Sequence, residues 1–172
     1  LSSLCDASEF LHFEQIPDNS VVIFLSRSGK SIEIIESLPK CKMVKASIIA
    51  ITNDPNAILA KSADCCLFTN VDFDHSISVN TYTSIVLIGQ ILISFIDHSA
   101  MVKEDLILLN KAIHNLNLEI PRYYEMLFGN NWIDPDEYFY GMARNQNLAS
   151  AHESMLLWEE GAKKSASAMS TV

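Results

Sequence analysis

The chain has 172 residues, 49% hydrophobic and 19% charged, a balance that excludes a disordered segment and suffices for a well-buried domain. Twelve Lys and Arg against 21 Asp and Glu give a formal charge of −9, which repels nucleic-acid phosphates and anionic lipid unless a basic patch intervenes. The densest basic cluster, Lys40, Lys42 and Lys45, lies between two apolar runs and reads as a solvated connection, so neither nucleic acid nor a membrane is expected as a partner.

The sequence opens at Leu1 with neither methionine nor a charged-then-apolar leader, so a cytoplasmic fragment of something longer is the expectation. Val21 to Leu25 is a continuous apolar, β-branched run, followed by the polar turn Ser26-Arg27-Ser28-Gly29-Lys30-Ser31 and the amphipathic stretch Ile32 to Leu38. Strand, turn and helix are predicted in that order. Ser47 to Ile51 is a second strand, Thr52-Asn53-Asp54-Pro55-Asn56 a turn cluster, Ala57 to Ser62 a short helix and Cys65 to Phe68 a third strand. Strands apolar on both faces and alternating with helices argue for an α/β fold, a parallel sheet flanked by helices.

Four cysteines, two of them adjacent at Cys65 and Cys66, do not form a disulfide framework, and reduced, buried thiols are expected. The histidines (His12, His75, His98, His114, His152) are scattered without ligand spacing, so no metal is expected. Ser78 to His98 turns helical and almost wholly apolar. Its core, Ile85 to Ile96, is interrupted by Gln90 and is shorter than the roughly 20 residues of a bilayer crossing, so a buried core helix is predicted. Lys103 to Leu116 keeps apolar residues at helical spacing, Pro121 opens a further helix through Phe128, and Gly129-Asn130-Asn131 closes it. Tyr138 to Gly141 reads as a strand running into a turn, and Leu148 to Glu160 as a helix ending on two adjacent carboxylates. Strand-turn-helix thus occurs both at Val21 and at Glu137, without an exact repeat.

The serine turn is the candidate site. A turn between a buried parallel strand and a helix presents free backbone N–H groups and the positive end of the helix dipole, and anions bind there. Ser26, Ser28 and Ser31 add three hydroxyls, and Gly29 lets the backbone approach a ligand closely. Phosphate is the natural guest, and a plain helix cap by Ser26 or Ser28 is the simpler alternative. Gly29-Lys30-Ser31 imitates the end of a P-loop, but that motif needs a glycine where Phe24 stands, so a nucleotide-hydrolysing loop is rejected.

The stretch Leu25 to Ser31 resembles the phosphosugar loop, Ser-Gln/Arg-Ser-Gly-x-Thr/Ser, of the sugar isomerase (SIS) domain family, which includes the isomerase half of glucosamine-6-phosphate synthase. Ile49 to Asn53, Leu59 to Asp64, and Ser76 to Thr83 resemble the family's following segments in order, and Glu153 and Glu160 fall where its second lobe carries paired glutamates. The resemblance implies a flavodoxin-like three-layer sandwich with most of a first lobe and only the start of a second. It implies boundaries at 1–116 for the first lobe, 117–136 for a connecting helix and linker, and 137–172 for the second lobe. It further implies phosphate binding by Ser26, Ser28, Ser31 and Ser78, with Arg27 beside the phosphate, and Glu160 as the base that moves a proton between C1 and C2 of an open-chain sugar. Read from the residues alone, Glu160 is rather an exposed acid at a helix end, beside Glu159.

Two departures bear on the reaction. Leu157 stands where the synthase has a lysine, and Asn80 replaces a usual Lys or Arg. A fructosamine-phosphate deglycase, an aminosugar-phosphate deaminase or a sugar-phosphate isomerase therefore fits as well as the synthase. The expected ligand is a hexose 6-phosphate, with no cofactor, in a homo-oligomer of two or more subunits. The rival expectation is a phosphosugar sensor, in which the serine turn is kept and no base is needed, and a third is an inactive fragment with the fold alone.

Overall fold

A computed structural model describes residues 3–72, 74, 77–97, 102–129 and 138–171. These form two compact units, Leu1–Phe73 with Asn80–Asp97, and Asp74–Val79 with His98–Val172.

The first unit holds α1 (Ala7–His12), β1 (Val21–Leu25), α2 (Ile32–Met43), β2 (Ser47–Thr52), α3 (Ile58–Ser62), β3 (Cys65–Phe68) and nearly all of α4 (Val79–Ile96). The three strands are parallel in the order β1-β2-β3, with Val21 opposite Ser47 and Ile49 opposite Cys65. Parallel neighbours need a crossover connection, which α2 and α3 supply. Phe24, Ile48 and Ala50 from the sheet meet Ile34, Leu38 and Cys41 of α2 and Leu59 of α3 to form the core. Phe10 of α1 packs edge-on against Phe24, 5.6 Å between ring centres.

The parallel sheet flanked by helices is the architecture expected, with three corrections. First, α2 does not end at Leu38: it runs through Pro39 to Met43, forgoing one backbone hydrogen bond at the proline. Lys40 is consequently no part of a solvated connection. Its Nζ donates to the carbonyls of Phe10 (2.6 Å) and Leu11 (3.3 Å), where the end of α1 leaves unpaired acceptors. Second, only one face of β1 is covered: Val21, Ile23 and Leu25 on the other are 61%, 43% and 50% exposed. Third, the expected core helix is only partly buried: Thr81 is the buried residue of α4 among those described, Val86, Ile93, Phe95 and Ile96 are exposed, and Ile85, Leu87, Ile88, Ile91 and Leu92 are half-buried. Its 18 residues, with mean hydropathy 1.6, are long and apolar enough to cross a membrane by length and composition, a test that core helices of soluble proteins also pass.

The second unit holds α5 (Val102–Phe128), β4 (Phe139–Ala143), α6 (Leu148–Gly161) and β5 (Ala166–Ser170). Pro121 does not open a helix but lies within α5, where it has no N–H to donate and its ring crowds the carbonyl of the preceding turn. Arg122 pairs with Glu119 at 3.2 Å beside it, and Tyr124 stacks on Phe128. Gly129 N–H closes the helix on the Glu125 carbonyl at 2.8 Å; Asn130 and Asn131 lie outside the described residues, as do His75, Ser76, His98 and Glu137. β4 and β5 are parallel, Phe139 opposite Ala166, with α6 as their crossover. Gly141 is therefore mid-strand rather than the start of a turn. A Cβ there would stand 3.1 Å from the Ala151 carbonyl oxygen, so the glycine lets α6 approach β4 closely. Phe139 stacks on Trp158 at 4.8 Å across the same contact.

Lys40→Met is expected to lower stability by about 1 kcal/mol, the worth of a hydrogen-bonded charge at a helix end, whereas exposed Lys42→Met changes it by less than about 0.5 kcal/mol. Urea unfolding of the two variants checks this, and equal effects would remove the anchoring role from Lys40.

Candidate phosphate-binding turn

Ser26 follows β1 directly and is 7% exposed; its N–H continues the ladder to the Ile51 carbonyl at 3.0 Å. Its Oγ accepts the Gly29 N–H at 3.1 Å and stands 3.4 Å from Ser31 Oγ. Ser28 Oγ accepts the Lys30 N–H at 3.2 Å. Ser26 and Ser28 thus fold the turn itself and do not cap α2. The residue at the cap is Ser31, and its side chain makes no capping bond. The first turn of α2 therefore keeps N–H donors without the usual side-chain acceptor, at the positive end of the helix dipole.

The turn is held in place from the loop after β2. The Arg27 carbonyl accepts two bonds, from Asn53 N–H at 3.0 Å and from the fully buried Thr52 Oγ1 at 3.1 Å. Asn53 reaches onward: its amide donates to the Val71 carbonyl at 2.9 Å and its Oδ1 accepts from Thr69 Oγ1 at 2.8 Å and Val71 N–H at 3.1 Å. Gly29 has φ of +58°, and a Cβ there would meet Ala57 Cβ at 2.6 Å, Thr52 Oγ1 at 3.1 Å and Leu59 Cβ at 3.3 Å. Its carbonyl accepts Leu59 N–H at 3.2 Å. Lys30 Nζ pairs with Asp54 Oδ2 at 2.8 Å. That ammonium, and then the Asn56 N–H, hold the Asp54 carboxyl below the usual aspartate range.

Ser26, Arg27, Ser28 and Ser31 are thus brought together in one turn, with Arg27 half-buried. Ser78 and Glu160 stand in the second unit. Ser78, exposed, immediately precedes α4, and Glu160 is exposed in the last turn of α6. Within that unit Gly161 abuts Ile77, a built Cβ lying 3.0 Å from Ile77 Cδ1, so each candidate residue is the sequence neighbour of one contact. Burial pushes the Glu153 carboxyl up, and the charge of Glu160 adds to it.

Thr52, Asn53 and Ala57, which shape the turn, escaped the sequence reading beyond a turn cluster. The available signal was a Thr-Asn pair at the end of a buried strand. A shallow groove of about 310 Å³ beside the exit of β3 is lined by Asn70, Val71, Asp72, Asn80, Thr83 and Ser84. It contains no serine of the turn, and its Asp72 carboxylate disfavours an anion. The cysteines are free, but they are not uniformly buried as expected: Cys41 is buried, Cys5 and Cys66 half-buried and Cys65 exposed. Among the described residues no three His, Cys, Asp or Glu side chains converge as a metal site would require.

Residues 2–95 match the family model of the SIS domain. The chain is 27% identical over 165 residues to glutamine–fructose-6-phosphate aminotransferase (isomerizing) of Methanocaldococcus jannaschii, covering 91% of this chain and 14% of that protein. It is 43% identical over 60 residues to arabinose 5-phosphate isomerase of Francisella tularensis, covering 35% of this chain and 18% of that one. The C-terminal domain of glucosamine-fructose-6-phosphate aminotransferase from Francisella tularensis superposes with a TM-score of 0.74 at 21% identity, over 95% of this chain and 49% of that one. Glucosamine-6-phosphate deaminase from Thermotoga maritima superposes with a TM-score of 0.65 at 22% identity, over 96% and 50%. The chain spans about half of each of these solved structures and less than a fifth of each of these sequence relatives.

Gly29→Ala is expected to cost about 1–3 kcal/mol through its positive φ and the Ala57 contact. Gly89→Ala, mid-helix with open space around it, is expected to stabilise by about 0.5–1 kcal/mol. Chemical unfolding of both variants should give opposite signs. A second expectation concerns pH. Folded Glu153 holds its proton to a higher pH than unfolded Glu153, so its ionisation opposes folding: its contribution to stability falls as pH rises from the ordinary glutamate value through the raised one. Glu153→Gln should flatten that slope in urea midpoints recorded from about pH 4 to 7, and an unchanged slope would assign it to another group.

Proposed function

Since this chain belongs to the SIS domain family, we propose that it binds a hexose 6-phosphate through the turn Ser26–Ser31, with the phosphate accepting hydrogen bonds at the N-terminus of α2. The observation that carries this reading is the uncapped first turn: Ser31 stands at the cap without a capping bond while Ser26 and Ser28 are spent on folding the loop. A phosphate there takes the place of the side-chain acceptor and meets the helix dipole. Arg27 supplies positive charge from within the turn, and Ser78 contributes a further hydroxyl.

Glu160 is the base on this reading. Moving a proton between C1 and C2 of an open-chain sugar takes one carboxylate, and Glu160 has a second, Glu153, two turns earlier on the same helix. With Leu157 in place of the synthase lysine, the reaction is an aldose-ketose isomerisation or an aminosugar-phosphate deamination or deglycation, run without a cofactor. The working protein is a cytoplasmic homo-oligomer of two or more subunits that binds neither nucleic acid nor membrane, with lobes bounded near residues 116 and 137. One observation favours a sensor instead: Glu160 is exposed, whereas a base is commonly tuned by burial.

Thermal unfolding with and without fructose 6-phosphate or glucosamine 6-phosphate separates these readings. At a ligand concentration about 100 times Kd, the protein is expected to gain about 2.7 kcal/mol. Ser28→Ala should abolish the gain, and Glu160→Gln should keep it while losing turnover. A gain with no turnover by the unaltered protein selects the sensor, and no gain with either ligand rejects the phosphosugar reading.

A further inference from the structure

Lys30 is the second cation of the turn, beside Arg27. Its backbone lies inside the turn, between Ser28, which accepts its N–H, and Ser31 at the cap of α2. Its side chain leaves the turn and pairs with Asp54, the two being 61% and 31% exposed. A pair so exposed contributes only about 0–1 kcal/mol, so a stronger anion can displace the carboxylate. Asp54 itself is fixed. Its Oδ1 accepts Asn56 N–H at 2.8 Å and its carbonyl accepts Ala57 N–H at 3.1 Å, in the loop on which Gly29 packs. The movable partner is therefore Lys30, a compact charge on a flexible four-carbon stem. In a chain of formal charge −9, a cation that can turn toward an incoming dianion matters for its capture.

We propose that Lys30 is a further anion-positioning residue, its ammonium held on Asp54 when the turn is empty and transferred to the bound phosphate when the turn is filled. Asp54 then competes with the ligand for one cation and sets the affinity of the turn. The inference rests on the phosphate reading of Ser26–Ser31 and adds to it a residue pair that the serine motif does not contain.

Calorimetric titration with inorganic phosphate and with fructose 6-phosphate tests it on the full chain and four variants. Lys30→Met is expected to weaken binding about five-fold and Asp54→Asn to tighten it about three-fold, each a change of about 1 kcal/mol or less. Asp54→Asn should have no effect in the Lys30→Met background, and Lys30→Arg should keep near-normal affinity. Binding that is unchanged by Lys30→Met, or that Asp54→Asn alters equally in both backgrounds, overturns the competition while leaving the serine turn standing. If the unaltered chain binds neither ligand, the phosphate reading fails and this inference with it.

Discussion

The turn after β1 depends on one backbone carbonyl. Arg27 has its C=O gripped by two donors from the end of β2, the hydroxyl of Thr52 and the N–H of Asn53. Each bond is worth about 1 kcal/mol net, but Thr52 is wholly buried, so breaking its bond would strand a hydroxyl in the core at a further cost. Asn53 carries the constraint onward to Thr69 and Val71, so the exits of all three strands are tied through two adjacent side chains. The serines can present donors in a fixed arrangement because the loop beneath them is already held.

This explains what was legible in the sequence. Continuous apolar runs bounded by polar turns gave β1 and β3 to the residue and β2 short by Thr52, because that pattern lies directly in the chain; of the three strands only β2 is mostly buried. The serine-rich turn announced itself by composition. The Thr52–Asn53 crossbar did not, since a side chain bonded to a distant carbonyl has no period and no spacing. Pro121 and Gly141 misled for a related reason: each is a residue that usually interrupts an element, yet Pro121 stands inside α5 and Gly141 stands mid-strand, where α6 approaches too close for a Cβ. Lys40 looked solvated by its neighbours in sequence and is anchored by a neighbour in space.

Charge is distributed unevenly for a chain so acidic overall. The turn carries Arg27 and Lys30, with the Asp54 carboxylate engaged by Lys30. On α6 the opposite holds: the half-buried Glu153 carboxyl is pushed up by burial first and then by the charge of Glu160 two helical turns away. The first unit thus carries a cationic, donor-rich turn and the second a carboxylate pair on one helix.

The uncovered face of β1 also has a cost during synthesis. Val21 to Leu25 is five apolar residues without a charge, it emerges before its partner β2 has been made, and among the described strands it lies at the edge of the sheet with Val21, Ile23 and Leu25 open to water. Such a segment is a template for pairing with a second nascent chain. The arrival of Ser47 to Thr52 competes with that encounter, so slower translation or crowded ribosomes would penalise the chain at this strand.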